Sequence, residues 1–162
     1  MNHSDWPWKI PLTRGKCAIV DGDDYVELSK FKWHCHHLGY AARNIPSDNK
    51  KRQIWRTMHR LLIGDPPQGM EIDHINGNKL DNRRQNLRVV TKAQNGMNRS
   101  LYKNNTSGLK GVRWHKRARV WCATIQAQGR SVWLGQFRDK NEAHEAYLKA
   151  AKQLFGEFAR TT

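Results

Sequence analysis

Short apolar runs separated by turns occupy the first part of the chain. Ile10–Leu12 and Cys17–Val20 flank the Arg14–Gly15 turn and predict two strands. Asp23 and Asp24 open a short helix that carries Tyr25, Leu28 and Phe31. Tyr40–Ile45 and Ile54–Thr57 predict two further strands on either side of the polar turn SDNKKR. Met58–Ile63 predicts a short helix, stopped by Gly64 and the Pro66–Pro67 pair. Met70–Asp73 and Leu87–Val90 then read as strands around a long polar loop, His74–Arg84. A helix to about Asn98 follows, with Thr91 as its N-cap and Gln94 at the capping-box position.

A second pattern begins after the polar linker of residues 101–107. Gly111–Lys116, Val120–Ala127 and Ser131–Leu134 predict three strands, with a turn at Gln128–Gly129. Asp139 caps a last helix, with Glu142 at the box position. Ala143, Ala146, Tyr147, Ala150, Ala151 and Leu154 share one face of it. Strand alternation turns Val112, Trp114, Trp121, Ala123, Ile125, Val132 and Leu134 towards that helix. It turns Arg113, His115, Cys122, Thr124, Gln126, Ser131 and Trp133 away. The expected class is α+β in two small domains, residues 1–100 and 108–160. The first divides into an N-terminal α+β part, residues 1–57, and a core, residues 58–100.

Charge narrows the function. The 162 residues carry a formal net charge of +15. Residues 1–100 hold 17 Lys and Arg against 10 Asp and Glu, and residues 101–162 hold 12 against 4. Both halves are therefore basic, and seven Trp are interleaved with the charge. That combination points to a polyanion, with nucleic acid first. No apolar run approaches the length of a spanning helix, and the N-terminus lacks the apolar core of a signal peptide. A cytoplasmic protein without a membrane partner is expected. The three cysteines, Cys17, Cys35 and Cys122, are far apart and form no C-x-x-C pair, which argues against a zinc knuckle or a disulfide framework.

Chemistry concentrates in EIDHINGNKLDNRRQNLRVVTKAQNGMN, Glu71–Asn98. Phosphodiester hydrolysis needs a base that works near neutral pH, and histidine suits it. It also needs charge neutralised at the phosphate and the leaving oxygen, which a hard cation on oxygen ligands achieves. A strand end supplies Asp73 and His74 side by side, and the helix supplies Asn95 one turn after Thr91. A strand–loop–strand–helix hairpin brings Asp73 and Asn95 together as oxygen ligands. One carboxylate and one amide make a weak site, so tight metal binding is expected only with DNA. The long loop needs its backbone groups satisfied internally, and the Asn86 amide both donates and accepts.

This stretch closely resembles the HNH endonucleases of the ββα-metal superfamily, especially phage and intron-encoded homing enzymes. The matching residues are Asp73-His74, Asn86-Leu87-Arg88 and Asn95, with IPLTRGKCAIVD and MHRLLI as the usual preface, over roughly residues 9–99. The resemblance implies His74 as general base, Asp73 and Asn95 as metal ligands, and Asn86 as the loop brace. Asn rather than His at the third position favours Mg²⁺ or Mn²⁺ over Zn²⁺. His59 either contacts the scissile phosphate or packs its helix. Arg83, Arg84 and Arg88 are candidates to grip phosphates, with Arg88 alternatively an ordinary surface residue. His34, His36 and His37 crowd together, but strand alternation separates neighbours and argues against a metal there.

Ser107–Ala159 resembles the DNA-binding domain of plant APETALA and ethylene-response factors, through GVR at Gly111–Arg113, W-x-A-x-I at Trp121–Ile125, VWLGQF at Val132–Phe137 and EAHEAYLKAA on the helix. That family reads the major groove with a three-stranded sheet packed on one helix. The resemblance implies contacts from Arg113, His115, Gln126 and Trp133 on the sheet and from Lys116, Arg117, Arg119 and Arg130 at the turns. Ser131 and Gln126 stand where the plant pattern has Arg, so the plant recognition sequence is not carried over. Trp121 is expected in the core. The joint expectation is a monomeric, homing-type, Mg²⁺- or Mn²⁺-dependent endonuclease that nicks double-stranded DNA. A non-enzymatic DNA-binding regulator and an RNA-binding protein are the alternatives.

Overall fold

The computed structural model of the protein describes residues 7–46, 54–98, 101, 104–127 and 129–159. The predicted polar turn after Pro46, part of the predicted linker, and Gln128 of the predicted turn lie outside these residues. The fold is a mixture of short helices and small antiparallel sheets. It forms two compact units, Met1–Lys92 and Ala93–Thr162. Among the described residues no helix is long and apolar enough to cross a membrane.

In the first unit, β1 (Trp8–Pro11) and β2 (Cys17–Val20) form an antiparallel ribbon in which Ile10 faces Ala18. The turn is closed by the Leu12 amide on the Lys16 carbonyl at 2.8 Å. Helix α1 (Gly22–Ser29) ends before Phe31, two residues earlier than its apolar periodicity suggests. Trp33 then folds back and donates from its indole to the Leu28 carbonyl at 2.8 Å, which satisfies a buried donor and a helix-end acceptor together. Phe31 stays exposed beneath the Arg43 guanidinium, 3.6 Å from the ring centroid. Strands β3 (His34–Cys35), β4 (Ala41–Ile45) and β5 (Ile54–Thr57) form a sheet in that order. Helix α2 (Met58–Ile63) follows directly.

Ile10, Ala18, Val20, Leu28, Trp33, Cys35, Ala41 and Met58 make one buried cluster, so the ribbon, α1, the sheet and α2 share a core. Strands β6 (Met70–His74) and β7 (Leu87–Thr91) form a separate antiparallel ribbon. Their connecting loop is fastened to β2: the Ile19 amide donates to the Leu80 carbonyl at 2.8 Å, and the Asn82 amide to the Ile19 carbonyl at 2.7 Å. Leu80 packs against the shared core. The polar loop is thereby held by backbone pairing and one apolar anchor, and Asn82 is fully buried.

Helix α3 (Lys92–Met97) starts where β7 stops, so Thr91, the last residue of the strand, stands at the position expected for its N-cap. In the second unit, β8 (Val112–His115), β9 (Val120–Ala127) and β10 (Arg130–Phe137) form an antiparallel sheet with β9 in the centre. Helix α4 (Lys140–Phe155) is capped by Asp139, whose carboxylate accepts from the Asn141 and Glu142 amides at 2.7 and 3.1 Å. Ile125, Tyr147, Ala151 and Phe155 form one buried cluster, and Val112, Ala123 and Ala143 another. Gly111 is demanded twice: its φ is +73°, and a Cβ there would lie 2.0 Å from the Tyr147 ring. Burial pushes the Tyr147 hydroxyl up to about 12.

Three alternation readings change in this sheet. Trp114 is 41 % exposed rather than core, because β8 is an edge strand, and it packs beside its cross-strand partner Trp121 at 4.9 Å. Cys122 is fully buried on the outer face, where it is flanked in register by the longer side chains of Arg113 and Gln136. Val132 is 41 % exposed on the other edge strand. A bulge between Trp133 and Gly135 shifts the alternation, so Leu134 and Phe137 both reach the core although three positions apart.

Candidate active site

Asp73 and His74 end strand β6, and both are buried, with 6 % and 4 % exposure. The antiparallel register sets Asp73 opposite Arg88 and His74 opposite Leu87. Directly opposed side chains on one sheet face are in reach of each other. Arg88 accordingly donates from Nε and Nη2 to the same oxygen, Oδ2 of Asp73, at 3.0 and 2.9 Å.

The loop after His74 is built on amides. The Gly77 amide returns to the His74 carbonyl at 2.7 Å. Asn86 is buried and uses both ends of its side chain: Oδ1 accepts from the Asn76 amide at 3.0 Å, and Nδ2 donates to Asn76 Oδ1 and the Asp81 carbonyl at 3.0 and 2.8 Å. Asp81 accepts from Asn76 Nδ2 at 2.8 Å and from Arg83 Nε and Nη2 at 2.9 and 2.7 Å. Burial raises the Asp81 carboxyl, but the hydrogen bonds from Arg83 and Asn76 outweigh it and hold the group below the usual carboxylate range. Arg84 bonds Asp24 through Nε and Nη2 at 2.9 and 2.8 Å and the Leu62 carbonyl at 3.2 Å, tying the loop to α1 and α2. Arg83, Arg84 and Arg88 thus each hold a carboxylate within the unit.

An aromatic wall stands beside His74. The His59 ring meets it edge-on at 5.2 Å, and Tyr40 lies 5.0 Å from His59 and 5.9 Å from His74. His59 is buried, with Nε2 3.0 Å from the Thr57 hydroxyl. Its pKa falls to about 3, chiefly through burial, then through the neighbouring His74 and Arg60. His74 is also lowered from its ordinary value. Burial is the main cause and Lys79 acts the same way, whereas the Asn82 hydrogen bond and the Asp73 and Asp81 charges oppose it. Both imidazoles are therefore neutral at pH 7.

Tyr40 and Lys79 are the residues that sequence reasoning passed over. The Lys79 ammonium lies 4.6 Å above the Tyr40 ring and donates to the Leu38 carbonyl at 3.0 Å. Lys79 is the lone cation in the stretch from Ile75 to Asn82, a signal visible in the sequence. Nothing local marks Tyr40, because only the fold brings it to His74. The histidine cluster also differs from expectation. Strand β3 stops at Cys35, so the chain turns and the His36 and His37 rings come within 4.0 Å, with His36 stacked on Trp55 at 4.2 Å.

A divalent cation fits the donor set in one respect. Asp73 offers a positioned hard oxygen donor, and Asn95 on α3 carries an amide oxygen of the same character. Asp73 and Asn95 belong to different units. No group of three or more His, Cys, Asp or Glu able to hold a metal occurs among the described residues.

In the second unit the register gathers Arg113, Cys122 and Gln136 in one row, Thr124 and Trp133 in the next, and Gln126 and Ser131 in a third, all on one sheet face. Trp133 is 50 % exposed there, and Arg113 and Gln126 are exposed. His115 is half-buried, with Nδ1 accepting from the Ala118 amide at 3.0 Å. Lys116, Arg117 and Arg119 lie exposed in the β8–β9 turn, and Arg130 is exposed at the start of β10.

Residues 52–97 match the family model described as HNH endonuclease. That span contains Asp73, His74, Asn86, Arg88 and Asn95. The chain is 33 % identical over 147 residues to an uncharacterized HNH endonuclease of Acanthamoeba polyphaga mimivirus, an alignment covering 90 % of this chain and 74 % of that protein. It is 36 % identical over 108 residues to protein 3.8 of Escherichia phage T7, covering 67 % of this chain and 85 % of that protein. No solved structure matches the chain. With Asp73, His74, Asn86 and Arg88 on one braced hairpin and a viral relative 33 % identical along nine-tenths of this chain, the chain belongs to the HNH endonuclease family.

Proposed function

We propose that the protein is a Mg²⁺- or Mn²⁺-dependent endonuclease that hydrolyses one strand of double-stranded DNA. The observation that carries this reading is the buried Asp73–His74 pair, with a neutral imidazole, at the mouth of a loop braced by Asn86. His74 takes a proton from water as the oxygen attacks phosphorus. The bond to the 3′ oxygen breaks, and that oxygen takes a proton from solvent, leaving a 5′ phosphate and a 3′ hydroxyl. Asp73 and Asn95 would hold the cation, which when bound offsets charge at the phosphate and the leaving oxygen. Asn86 fixes the loop so that His74 keeps its place.

His59 acts as a neutral wall behind His74, a reading supported by its Thr57 hydrogen bond and its burial. Arg83 and Arg84 stabilise the loop through Asp81 and Asp24. The second unit holds duplex DNA, in the manner of the APETALA-like domains it resembles. Arg113, His115, Gln126 and Trp133 would face the bases, and Lys116, Arg117, Arg119 and Arg130 the phosphates. The likeness to a phage T7 protein supports a phage-type enzyme acting in a host cytoplasm, and the homing-type role rests on the motif resemblance alone. A single such site in a monomer yields a nick.

Plasmid relaxation with Mg²⁺ or Mn²⁺, beside an EDTA control and His74→Ala, tests this reading. Metal-dependent nicking should fall by about 10²–10⁴-fold in His74→Ala, while gel shifts on the plasmid stay unchanged. No cutting alongside retained gel shifts would make the protein a DNA-binding regulator. Preferential competition by RNA would overturn the choice of substrate.

A further inference from the structure

The Asp73–Arg88 pair has a property that a simple ligand site lacks. Asp73 and Arg88 are direct partners across β6 and β7, so their pairing is set by strand register. Two guanidinium nitrogens converge on one carboxylate oxygen at 3.0 and 2.9 Å. The Arg88 and Asp73 side chains are 16 % and 7 % exposed, so water screens the pair little. Arg83 and Arg84 hold carboxylates, Asp81 and Asp24, that serve the loop. Arg88 alone of the three holds the carboxylate proposed to bind metal.

We infer that Arg88 is a resident counter-cation of Asp73 that keeps the metal affinity of the DNA-free enzyme low. This rests on the reading of Asp73 as a metal ligand. A divalent ion approaching Asp73 meets a carboxylate whose charge is already balanced, and it is repelled by a guanidinium in direct contact with its ligand. Two opposing effects are present. The fork orients the carboxylate, which favours binding, and the positive charge opposes it. At hydrogen-bond distance in a poorly hydrated site the charge term is the larger. Substrate reverses the balance: a DNA phosphate brings negative charge to both cations, so Arg88 and the metal cease to compete for one anion. Metal capture is thereby coupled to the arrival of DNA, and the free protein does not carry a loaded site.

The test is Mn²⁺ titration of the full chain without DNA, read from the electron paramagnetic resonance signal of free Mn²⁺. Arg88→Gln keeps a hydrogen-bond donor facing Asp73 and removes the charge, and it should tighten Mn²⁺ binding by about tenfold or more. Arg88→Lys keeps the charge, and its affinity should stay near that of the parent. Adding uncleaved duplex DNA should tighten binding more in the parent than in Arg88→Gln. Unchanged or weaker binding in Arg88→Gln would overturn the inference, as would equal tightening in both variants, since charge would then not be the cause. Asp73→Asn separates the two levels. If, with uncleaved duplex DNA present, it binds Mn²⁺ as well as the parent does, Asp73 is not the ligand and the reading beneath this inference fails.

Discussion

The buried His59 imidazole should make the protein lose stability in mild acid, and the size of the loss follows from its surroundings. In the folded state His59 is 7 % exposed and takes up a proton only near pH 3, whereas in the unfolded chain it does so near its ordinary 6.5. The folded pKa is depressed, so between these limits the unfolded chain binds a proton that the folded chain refuses. Stability is fully present above pH 6.5, declines as pH falls below it, and levels off near the folded value. Each unit of pH inside that window removes about 1.4 kcal/mol, so this one group costs about 2 kcal/mol between pH 7 and pH 5. The assay is urea unfolding of the parent and of His59→Gln at both pH values, followed by tryptophan fluorescence. Glutamine does not titrate and can still meet the Thr57 hydroxyl. The variant will differ in absolute stability, but its loss between the two pH values should be smaller than the parent's by about 2 kcal/mol. Parallel losses in the two proteins would refute the argument, because His59 would then be protonated as easily in the folded state as in the unfolded one.

Further expectations follow from the same geometry. Asn86→Ala removes three hydrogen bonds from a buried position and leaves the Asn76 amide and the Asp81 carbonyl unserved, so it should destabilise the first unit by about 2–4 kcal/mol in denaturant melts. Gly111→Ala pushes a methyl into the Tyr147 ring at a positive φ, and should cost about 3 kcal/mol or more, visible as loss of hydrogen-exchange protection in β8 and β9. Because burial lowers His74 from its ordinary 6.5, it takes up its proton only below that pH, so the acid limb of cleavage should lie below pH 6.5. An acid limb above it would mean that another group governs the reaction.

The neighbourhood of the candidate site was legible in the chain because its elements are local. Asp73 and His74 are adjacent, and Asn86 is tied to Asn76 within one loop, so a hairpin of known period predicts the neighbourhood. Asp139 likewise announces the start of α4 with its own carboxylate. The short strand β3 and the placement of Trp114 and Cys122 were not legible, because alternation assigns a side and only the rest of the sheet decides how far that side is covered. The bulge at Trp133 is invisible to a period-two reading for the same reason.

By itself, then, the sequence determined the basic charge, the division into two patterned halves and the identity of the residues proposed to act. Tertiary structure decided what those residues are in contact with. Burial made His59 and His74 neutral, strand register laid Arg88 against Asp73, and backbone pairing with β2 locked the polar loop in place. Residue types and short spacings are properties of the chain, whereas desolvation and the pairing of distant charges exist only once the chain has folded.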